Sequence, residues 1–396
     1  MAFEQLGLNY AVEYSAAVAN AYPYLSYFSQ IWSGPNSNAY KPVRAKTVMI
    51  PSLDVSGARM ANRNQITGQF TRNFNDSLQA CELMMDREWD TLIDPMDMEQ
   101  DRAVTVANIT KTFTEFQKIP EMDAYAASKL ADFAKGFGTV DSTTLSAENI
   151  LATWDSYLAY MTDQRINRDR LVCKITPAAY KLLKEAAGIT RFVQADTGIR
   201  NVDRNVGKLD GVLIEEVPSD IMQTLFDFTE GWQKQAGSQA INLMLIDPLA
   251  TIGPVVYDTS MMSAPAANTK GKYIYYERYY YDVFALNRRL PGIFANIGDP
   301  TIGALTVTSV AGASSGNTKV SVAEPAPYGC MYLYQLNSAD PSVTYGQALT
   351  SGWTPLVQGQ DIAAASNTNV TVALVNVARG NVAVAAGNAT IVKNGA

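Results

Sequence analysis

The chain of 396 residues contains no histidine, so the side chain that most often serves as a general acid or base in catalysis is missing. Histidine is the commonest general base and a common metal ligand, and its absence excludes Ser–His–Asp and Cys–His arrangements and imidazole metal sites. The three cysteines, Cys81, Cys173 and Cys330, are isolated and odd in number, which favours buried free thiols over a disulfide framework or a zinc site. The composition therefore predicts that the chain is not an enzyme.

An acidic run is the best candidate for a metal site, and it consists of Asp94, Asp97, Glu99 and Asp101. The run lacks the turn glycine and the bidentate glutamate that an EF-hand loop requires. Asp94 and Pro95 instead have the types expected of the N-cap and first residue of a helix, where carboxylates interact favourably with the helix dipole. We expect no metal and no cofactor here.

Two glycine-containing segments lack the features of phosphate-binding loops. The segment GFGTVD, residues 136–141, has no third glycine and follows a predicted helix, whereas a dinucleotide-binding loop follows a strand. The segment TKGKY has Ala266 where a phosphate loop needs its first glycine, and Tyr273 where it needs Ser or Thr. Neither segment supports nucleotide chemistry.

The overall charge is acidic, with 31 Lys and Arg residues against 38 Asp and Glu residues. This balance disfavours non-specific nucleic-acid binding by the whole chain, so any contact with DNA must be local, for example at Arg288 and Arg289. Residues 1–40 contain no Lys or Arg and therefore lack the basic start of a signal peptide, and no apolar run reaches membrane-spanning length. The sequence predicts a protein that folds in the cytoplasm, without a membrane.

The elements that position these residues are predicted from caps and from apolar spacing. One helix of about 22 residues begins at Asp94, a second runs from about Pro120 to Gly136, and a third follows Ser146. The third helix is expected to bury Leu151, Trp154, Leu158 and Met161. The segment LVCKIT predicts a short strand, followed by a helix capped by Thr176 with Pro177 in its first position and Gly188 beyond its end.

Further strands are predicted at GVLIEEV, INLMLID and KYIYYERYYYDVFAL, the last with six tyrosines. Aromatics near Arg278 could form a base-stacking platform, but core and interface packing is the favoured interpretation because tyrosine buries a large area and keeps a polar tip. Residues 300–396 carry only six of the 69 charged residues and consist of short β-runs. They predict an appended all-β sandwich, immunoglobulin-like in architecture only.

Residues 41–75 predict a long hairpin that needs another surface to lie on, because isolated hairpins are marginally stable. The segment has six basic residues against one acidic residue, and residues 82–101 have eight acidic residues against one arginine. An assembly could place the basic arm, with Arg59, Arg63 and Arg72, across the acidic run of the next copy. Both segments could equally be solvated faces.

The order of these parts resembles the Hong-Kong-97-type major capsid proteins of tailed bacteriophages. The resemblance covers residues 1–297, through DREWDTLIDPMDMEQDR, EFQKIPEMDAYAASKL, INLMLIDPLATIGPV and YIYYERYYYDVFALNRRLPGIFAN. It implies an α+β capsid fold with these parts: an N-terminal arm (1–40), an extended loop (41–76), a peripheral domain with a spine helix (77–145), an axial domain (146–250) and return strands to the peripheral domain (251–298). The predicted β-sandwich (299–396) is appended to this fold and is expected to face outward.

The resemblance implies self-assembly into hexamers and pentamers of an icosahedral shell around double-stranded DNA, held by non-specific contact. It also implies a virion protein assembled in the host cytoplasm, with a separate scaffolding protein, a portal and an optional decoration protein. Aromatic residues of the arm, among them Tyr22, Tyr24, Phe28 and Trp32, are expected to anchor on neighbouring copies. An encapsulin-like compartment and a surface adhesin built around the sandwich are the alternatives.

Some members of this family join subunits by an isopeptide bond that involves a lysine near the loop tip. Residues 51–65 here contain Arg59 and Arg63 but no lysine, and a guanidinium that stays protonated is a poor nucleophile. We therefore expect a shell held by non-covalent contacts, which would dissociate to monomers in boiling denaturant.

Overall fold

A computed structural model describes residues 26–34, 36, 47–55, 74–96, 106–186, 193–196, 199–202, 207–337, 342–364 and 367–395. The chain folds as two compact units. The first comprises Met1–Ser26, Ser37–Met122 and Gly253–Asp282, and the second comprises Tyr27–Asn36, Asp123–Ile252 and Val283–Ala396.

The described helices are α1 (Ser29–Trp32), α2 (Val106–Phe113), α3 (Ile119–Phe137), α4 (Ile150–Asp163) and α5 (Pro177–Glu185). The described strands are β1 (Thr47–Val55), β2 (Phe74–Glu82), β3 (Met85–Ile93), β4 (Val140–Asp141), β5 (Val172–Ile175), β6 (Val193–Asp196), β7 (Ile199–Val202), β8 (Lys208–Leu209), β9 (Val212–Glu216), β10 (Phe226–Asp227), β11 (Gln233–Lys234), β12 (Ile241–Ile246), β13 (Thr251–Ile252), β14 (Val255–Ser263), β15 (Tyr273–Tyr281), β16 (Phe284–Ala285), β17 (Ile293–Ile297), β18 (Gly303–Ala304), β19 (Val307–Ala311), β20 (Asn317–Val322), β21 (Cys330–Asn337), β22 (Thr354–Pro355), β23 (Asp361–Ala363), β24 (Asn369–Asn376) and β25 (Val382–Thr390).

The first unit contains a hairpin and a three-stranded sheet. Strands β1 and β2 pair antiparallel along their whole length, from Thr47 opposite Glu82 to Val55 opposite Phe74. The second hairpin strand therefore continues to Glu82, whereas the sequence placed the end of the loop at residue 76. Strand β15 lies between β14 and β3 and is antiparallel to both. Residues 85–93 of the acidic segment thus form a strand, which pairs with the tyrosine-rich strand.

Residues 106–137 form one continuous helical run where the sequence predicted two helices. Thr114–Lys118 is a π-helical turn between α2 and α3, and its neighbours Phe113 and Ile119 keep α-helical dihedral angles. Pro120 lies in the first turn of α3, where its missing N–H is tolerated because the π turn has already shifted the hydrogen-bond pattern. The predicted second helix, from about Pro120 to Gly136, agrees with α3, although α3 follows the π turn without a break. Residues 95 and 96 are helical, as expected of a helix that begins at Asp94, but residues 97–105 lie outside the described part.

The second unit contains a six-stranded sheet in the order β4-β17-β12-β5-β9-β8. Helices α4 and α5 pack on it around Trp154, Leu158, Met161 and Leu183, each at most 2% exposed. Thr176 caps α5, accepting a hydrogen bond from the N–H of Ala179, and Pro177 occupies the first turn, as predicted. Leu151 is only half-buried, and Gly188 lies outside the described residues.

The later return strands do not all belong to the three-stranded sheet. Strands β14 and β15 pair there, but β16 pairs with β13 and β17 pairs with β12 in the second unit. The predicted segment 251–298 is therefore divided near Asp282, where the chain leaves the first compact unit.

The described residues from 303 onward form strands and turns and one short 3-10 helix, Val377–Arg379, which agrees with the all-β prediction. They build a five-stranded sheet, β18-β25-β24-β21-β22, and a three-stranded sheet, β19-β20-β23. Their shared core includes Val320, Ile362, Val370 and Val372. We call these residues, 303–390, the C-terminal β module. The contacts group the module with the six-stranded sheet in one compact unit.

Candidate assembly surfaces

One face of the β1–β2 hairpin is exposed along its length and mostly apolar, with Asp76 opposite Leu53 and Glu82 opposite Thr47 as its acidic residues. Alternate residues of a strand share a face, so Met49, Leu53 and Val55 lie on the same side as Phe74 and Leu78. Their exposed fractions are 40%, 60%, 73%, 52% and 70%. A contiguous exposed apolar surface typically marks an interaction site. The sequence analysis considered only the charge of this segment, although the alternation in MIPSLDV was a visible signal.

On the opposite face of the hairpin, Val48, Ile50 and Cys81 are buried near its base. Arg59, Arg63 and Arg72, the predicted basic contacts, lie outside the described residues.

The outer face of the three-stranded sheet is acidic. Asp86, Glu88 and Asp90 alternate along β3 with half-buried residues and all three are exposed. Arg278 on β15 donates two hydrogen bonds to the carboxylate of Asp86, at 2.9 and 2.6 Å. The Tyr276 hydroxyl donates to Glu88 at 3.3 Å. Within the described residues, Glu88 and Asp90 have no salt-bridge partner, so they are the carboxylates that a basic surface can still reach.

The inner face of the same sheet carries paired charges. The Lys118 ammonium lies 2.6 Å from the Glu277 carboxylate, and both side chains are largely buried. Tyr275 donates to the same carboxylate at 3.0 Å, and Tyr281 donates to Glu121 at 3.1 Å. Burial raises the pKa of the Tyr279 and Tyr281 hydroxyls, so both stay protonated, and Tyr281 acts as the donor to Glu121. These groups hold the helical run on the sheet, and the favoured core role of the tyrosine strand agrees with this packing.

A cleft of about 590 Å³ lies beside these groups in the first unit. Its charged lining residues are paired with each other, Lys118 with Glu277 and Lys111 with Glu115 at 3.8 Å. Pairs of this kind position the helix, and they account for all four charged residues that line the cleft.

The root of the N-terminal arm is held inside its own subunit. Phe28 is fully buried, which leaves its side chain no surface for the contact with a neighbouring copy that the sequence suggested; Trp32 is half-buried. Lys174, only 1% exposed, donates to the Tyr27 carbonyl, to Gln30 and to Glu215, so all three of its N–H groups have partners. Burial lowers the pKa of Lys174, and the neighbouring Glu215 opposes this shift. Tyr22 and Tyr24 lie outside the described residues.

Asp94, the first residue of the acidic run that was considered and rejected as a metal site, makes contacts within its own unit. Its carboxylate accepts a hydrogen bond from the Met96 N–H at 3.0 Å and lies 3.6 Å from the Lys272 ammonium. Asp97, Glu99 and Asp101 lie outside the described residues. Within the described ranges, no group of three Cys, Asp or Glu residues is placed to hold a metal ion. No helix in these ranges is long and apolar enough to cross a membrane.

No family model and no curated protein sequence matches the chain. Solved structures do match it. The mature capsid of bacteriophage PhiM1 is 14% identical, with a TM-score of 0.54, over 74% of this chain and 92% of that one. The capsid of cyanophage P-SCSP1u is 12% identical, with a TM-score of 0.56, over 74% and 96%. The predicted fold is thereby confirmed: the chain has the Hong-Kong-97-type fold of phage capsid subunits.

Proposed function

We propose that this chain is the major capsid protein of a bacteriophage, a subunit that self-assembles into the hexamers and pentamers of an icosahedral head around double-stranded DNA. Two observations support the proposal: the capsid-type fold and the exposed apolar face of the hairpin. The second carries most of the functional argument, because a subunit that worked alone would gain nothing from an apolar strip of this length.

The proposed contact places the hairpin of one copy on an adjacent copy. Burial of its apolar face supplies most of the affinity, since apolar area removed from water contributes about 25 cal/mol per Å² before the costs of association. The basic tip, Arg59, Arg63 and Arg72, would reach acidic groups of the neighbour. Glu88 and Asp90 join Asp97, Glu99 and Asp101 as candidates, whereas Asp86 and Asp94 already have basic partners within their own subunit.

The role is structural and not catalytic, and it requires no metal or cofactor. The expected partners are further copies of the chain, a separate scaffolding protein, a portal, an optional decoration protein and packaged DNA in non-specific contact. The protein would be assembled in the host cytoplasm and reside in the virion. Tyr22, Tyr24 and Trp32 remain candidate contacts of the arm.

The C-terminal β module is proposed to be an immunoglobulin-like sandwich on the outer side of the shell. Its low charge supports this placement, since a wall that faces DNA is expected to carry basic residues.

Electron microscopy of the purified full-length chain, with and without co-expressed scaffolding protein, tests the proposal. Closed shells are expected from the unaltered chain. Leu78→Glu, at a site 70% exposed, should abolish shells because it places a charge in the apolar contact. Val357→Glu, at a site 63% exposed in the C-terminal β module, is the matched control and should leave shells intact.

A monodisperse monomer at high concentration under every condition would refute the capsid function. Shells from the Leu78→Glu variant would refute the hairpin contact while leaving the function standing. DNA inside particles purified from infected cells would distinguish a phage head from a protein compartment. Boiling in denaturant should give monomers only, since the contacts are proposed to be non-covalent.

A further inference from the structure

The C-terminal end of α3 is completed by side chains from the C-terminal β module. The last carbonyl groups of a helix have no partner within the helix and are usually satisfied by nearby residues or water. Here the Lys135 carbonyl accepts from the Tyr345 hydroxyl at 3.1 Å, and the Phe137 carbonyl accepts from the Asn376 amide at 2.8 Å. Asn376 is fully buried and stands 239 positions away in the chain. The cap of this helix is therefore supplied by a distant part of the sequence.

Arg379 makes the central contact of this junction. One guanidinium nitrogen donates to the carbonyls of Gly138 and Val140, at 2.7 and 2.9 Å. The guanidinium also lies 5.3 Å from the centre of the Phe294 ring, in cation–π contact. The residue thus binds the end of α3, strand β4 and strand β17 at once. Hydrogen bonds from a charged donor are stronger than those between neutral groups.

The backbone at Gly138 is shaped for close approach of the module. Gly138 has a φ of +83°, the left-handed conformation that ends helices and that side chains rarely adopt. A methyl group at this position would lie 2.6 Å from Val384 and 3.2 Å from Asn376, both in the module. Only a glycine allows the module to pack this tightly on the helix end.

We propose that the C-terminal β module acts as an intramolecular cementing domain, which caps α3 and fastens it to β4 and β17 and thereby stabilises the body of the subunit. The module then contributes to the stability of the folded subunit, in addition to any contact that it makes outside the particle. This role belongs to the single chain and does not depend on the shell-forming function.

Hydrogen exchange of the full-length chain, measured by mass spectrometry, tests the proposal. The N–H groups of Gly138 and Thr139 both bond to the Ala134 carbonyl at 2.9 Å, so their exchange reports the opening of the helix end. Arg379→Met keeps an unbranched side chain of comparable reach and removes the donors. We expect about 10- to 100-fold faster exchange in peptides covering residues 134–140, from the loss of charged hydrogen bonds.

Two further variants keep the experiment decisive. Tyr345→Phe removes a single hydroxyl at the junction and should accelerate the same amides by about threefold to tenfold. Tyr332→Phe is the matched control, because its hydroxyl bonds to the Glu324 carbonyl inside the module and should leave residues 134–140 unchanged. Peptides from β24 and β25 show whether the module itself stays folded.

A change of less than twofold at residues 134–140 in Arg379→Met, with β24 and β25 protected, would overturn the proposal. If Arg379→Met also accelerates exchange in β24 and β25, the module itself has unfolded, and the Tyr345→Phe variant decides the test. In that case, the proposal is overturned if residues 134–140 exchange equally fast in Tyr345→Phe and in the Tyr332→Phe control.

Discussion

Arg87 on β3 donates two hydrogen bonds to the carboxylate of Glu121 on α3, at 2.8 and 2.9 Å. The Glu121 side chain is 4% exposed and that of Arg87 is 20% exposed, so the pair is shielded from water. The planar guanidinium matches both carboxylate oxygens and fixes the first turn of α3 against β3. Both residues belong to the first unit, so the pair joins the start of α3 to the tyrosine-rich sheet within that unit.

Replacing Arg87 with Met should lower the free energy of unfolding of the subunit by about 3 kcal/mol, because it leaves a buried carboxylate without its partner. Denaturant unfolding of the monomeric chain measures this loss. The double variant Arg87→Met with Glu121→Leu should be less destabilised than the single variant, since no unpaired charge remains. Arg278→Met, which breaks the exposed pair with Asp86, should cost much less. A loss below about 1 kcal/mol for Arg87→Met would contradict the assigned role.

Lys174→Met should release the root of the N-terminal arm while leaving the six-stranded sheet folded. The substitution removes the donor shared by the Tyr27 carbonyl, Gln30 and Glu215. We expect at least about tenfold faster hydrogen exchange in residues 27–34, as a charged hydrogen-bond donor is lost. The control is Lys181→Met, on α5, whose side chain is 73% exposed and whose pairing with Glu185 spans 3.9 Å. Equal exchange of residues 27–34 in both variants would contradict this role of Lys174. It would show that the packing of Phe28 and Ile31 is sufficient to hold the root.

The C-terminal β module should lose stability in acid through Asp361. The carboxylate accepts hydrogen bonds from the N–H groups of Ala313 and Ser314, at 2.9 to 3.3 Å, and these hold its pKa below the ordinary value of 3.8. The unfolded chain then binds the proton more readily than the folded one. The stabilisation is complete above the unfolded pKa and is lost as the pH falls through the lower, folded pKa.

Thermal unfolding of wild type and Asp361→Asn between pH 2 and pH 7 measures this effect. The difference in melting temperature should be constant above about pH 5 and should shrink towards zero near pH 2. A difference that stayed constant over the whole range would show that the charge of Asp361 contributes nothing. Thr306 also donates its N–H to Glu324 and lowers the pKa of that carboxyl, so some acid sensitivity should remain in Asp361→Asn.

The three thiols should react slowly in the native subunit. Cys173 is fully buried and Cys81 nearly so, and burial raises the pKa of both. Cys330 is half-buried, and desolvation by burial raises its pKa to about 12, so very little thiolate is present at pH 8. Titration with a chromogenic disulfide reagent should find three thiols in denaturant and none rapidly in the native state. Fast release of one equivalent, abolished by Cys330→Ser, would contradict the burial of that residue.

Local signals predicted the second unit well. The spacing of Trp154, Leu158 and Met161 and the Thr176–Pro177 cap depend on neighbours within one or two turns of the chain, and the structure has both where the sequence placed them. The capsid-type fold itself followed from the order of such segments. Short-range patterns are sufficient wherever the partner of a residue is close in sequence.

The remaining features depend on partners that the sequence does not place nearby. The sequence analysis did not predict strand β3, because the charged residue Arg87 occupies an inward position of the strand. Burial of Arg87 there depends on its hydrogen bonds with Glu121. Phe28 was assigned to a neighbouring copy because its pocket around Lys174 is formed by residues more than 140 positions away. The junction at Arg379 likewise spans 241 positions. The sequence shows that these residues are charged or aromatic, but it does not show which residues they contact in the folded chain.

The exposed apolar face of the β1–β2 hairpin makes the unassembled subunit prone to aggregation. A newly made subunit presents Leu53, Val55 and Leu78 to water on paired strands, a surface prone to indiscriminate adhesion. Aggregation is therefore expected to rise steeply with the concentration of unassembled subunits. The rate at which subunits are supplied, relative to the rate at which they meet a partner, then matters to assembly as much as their shape.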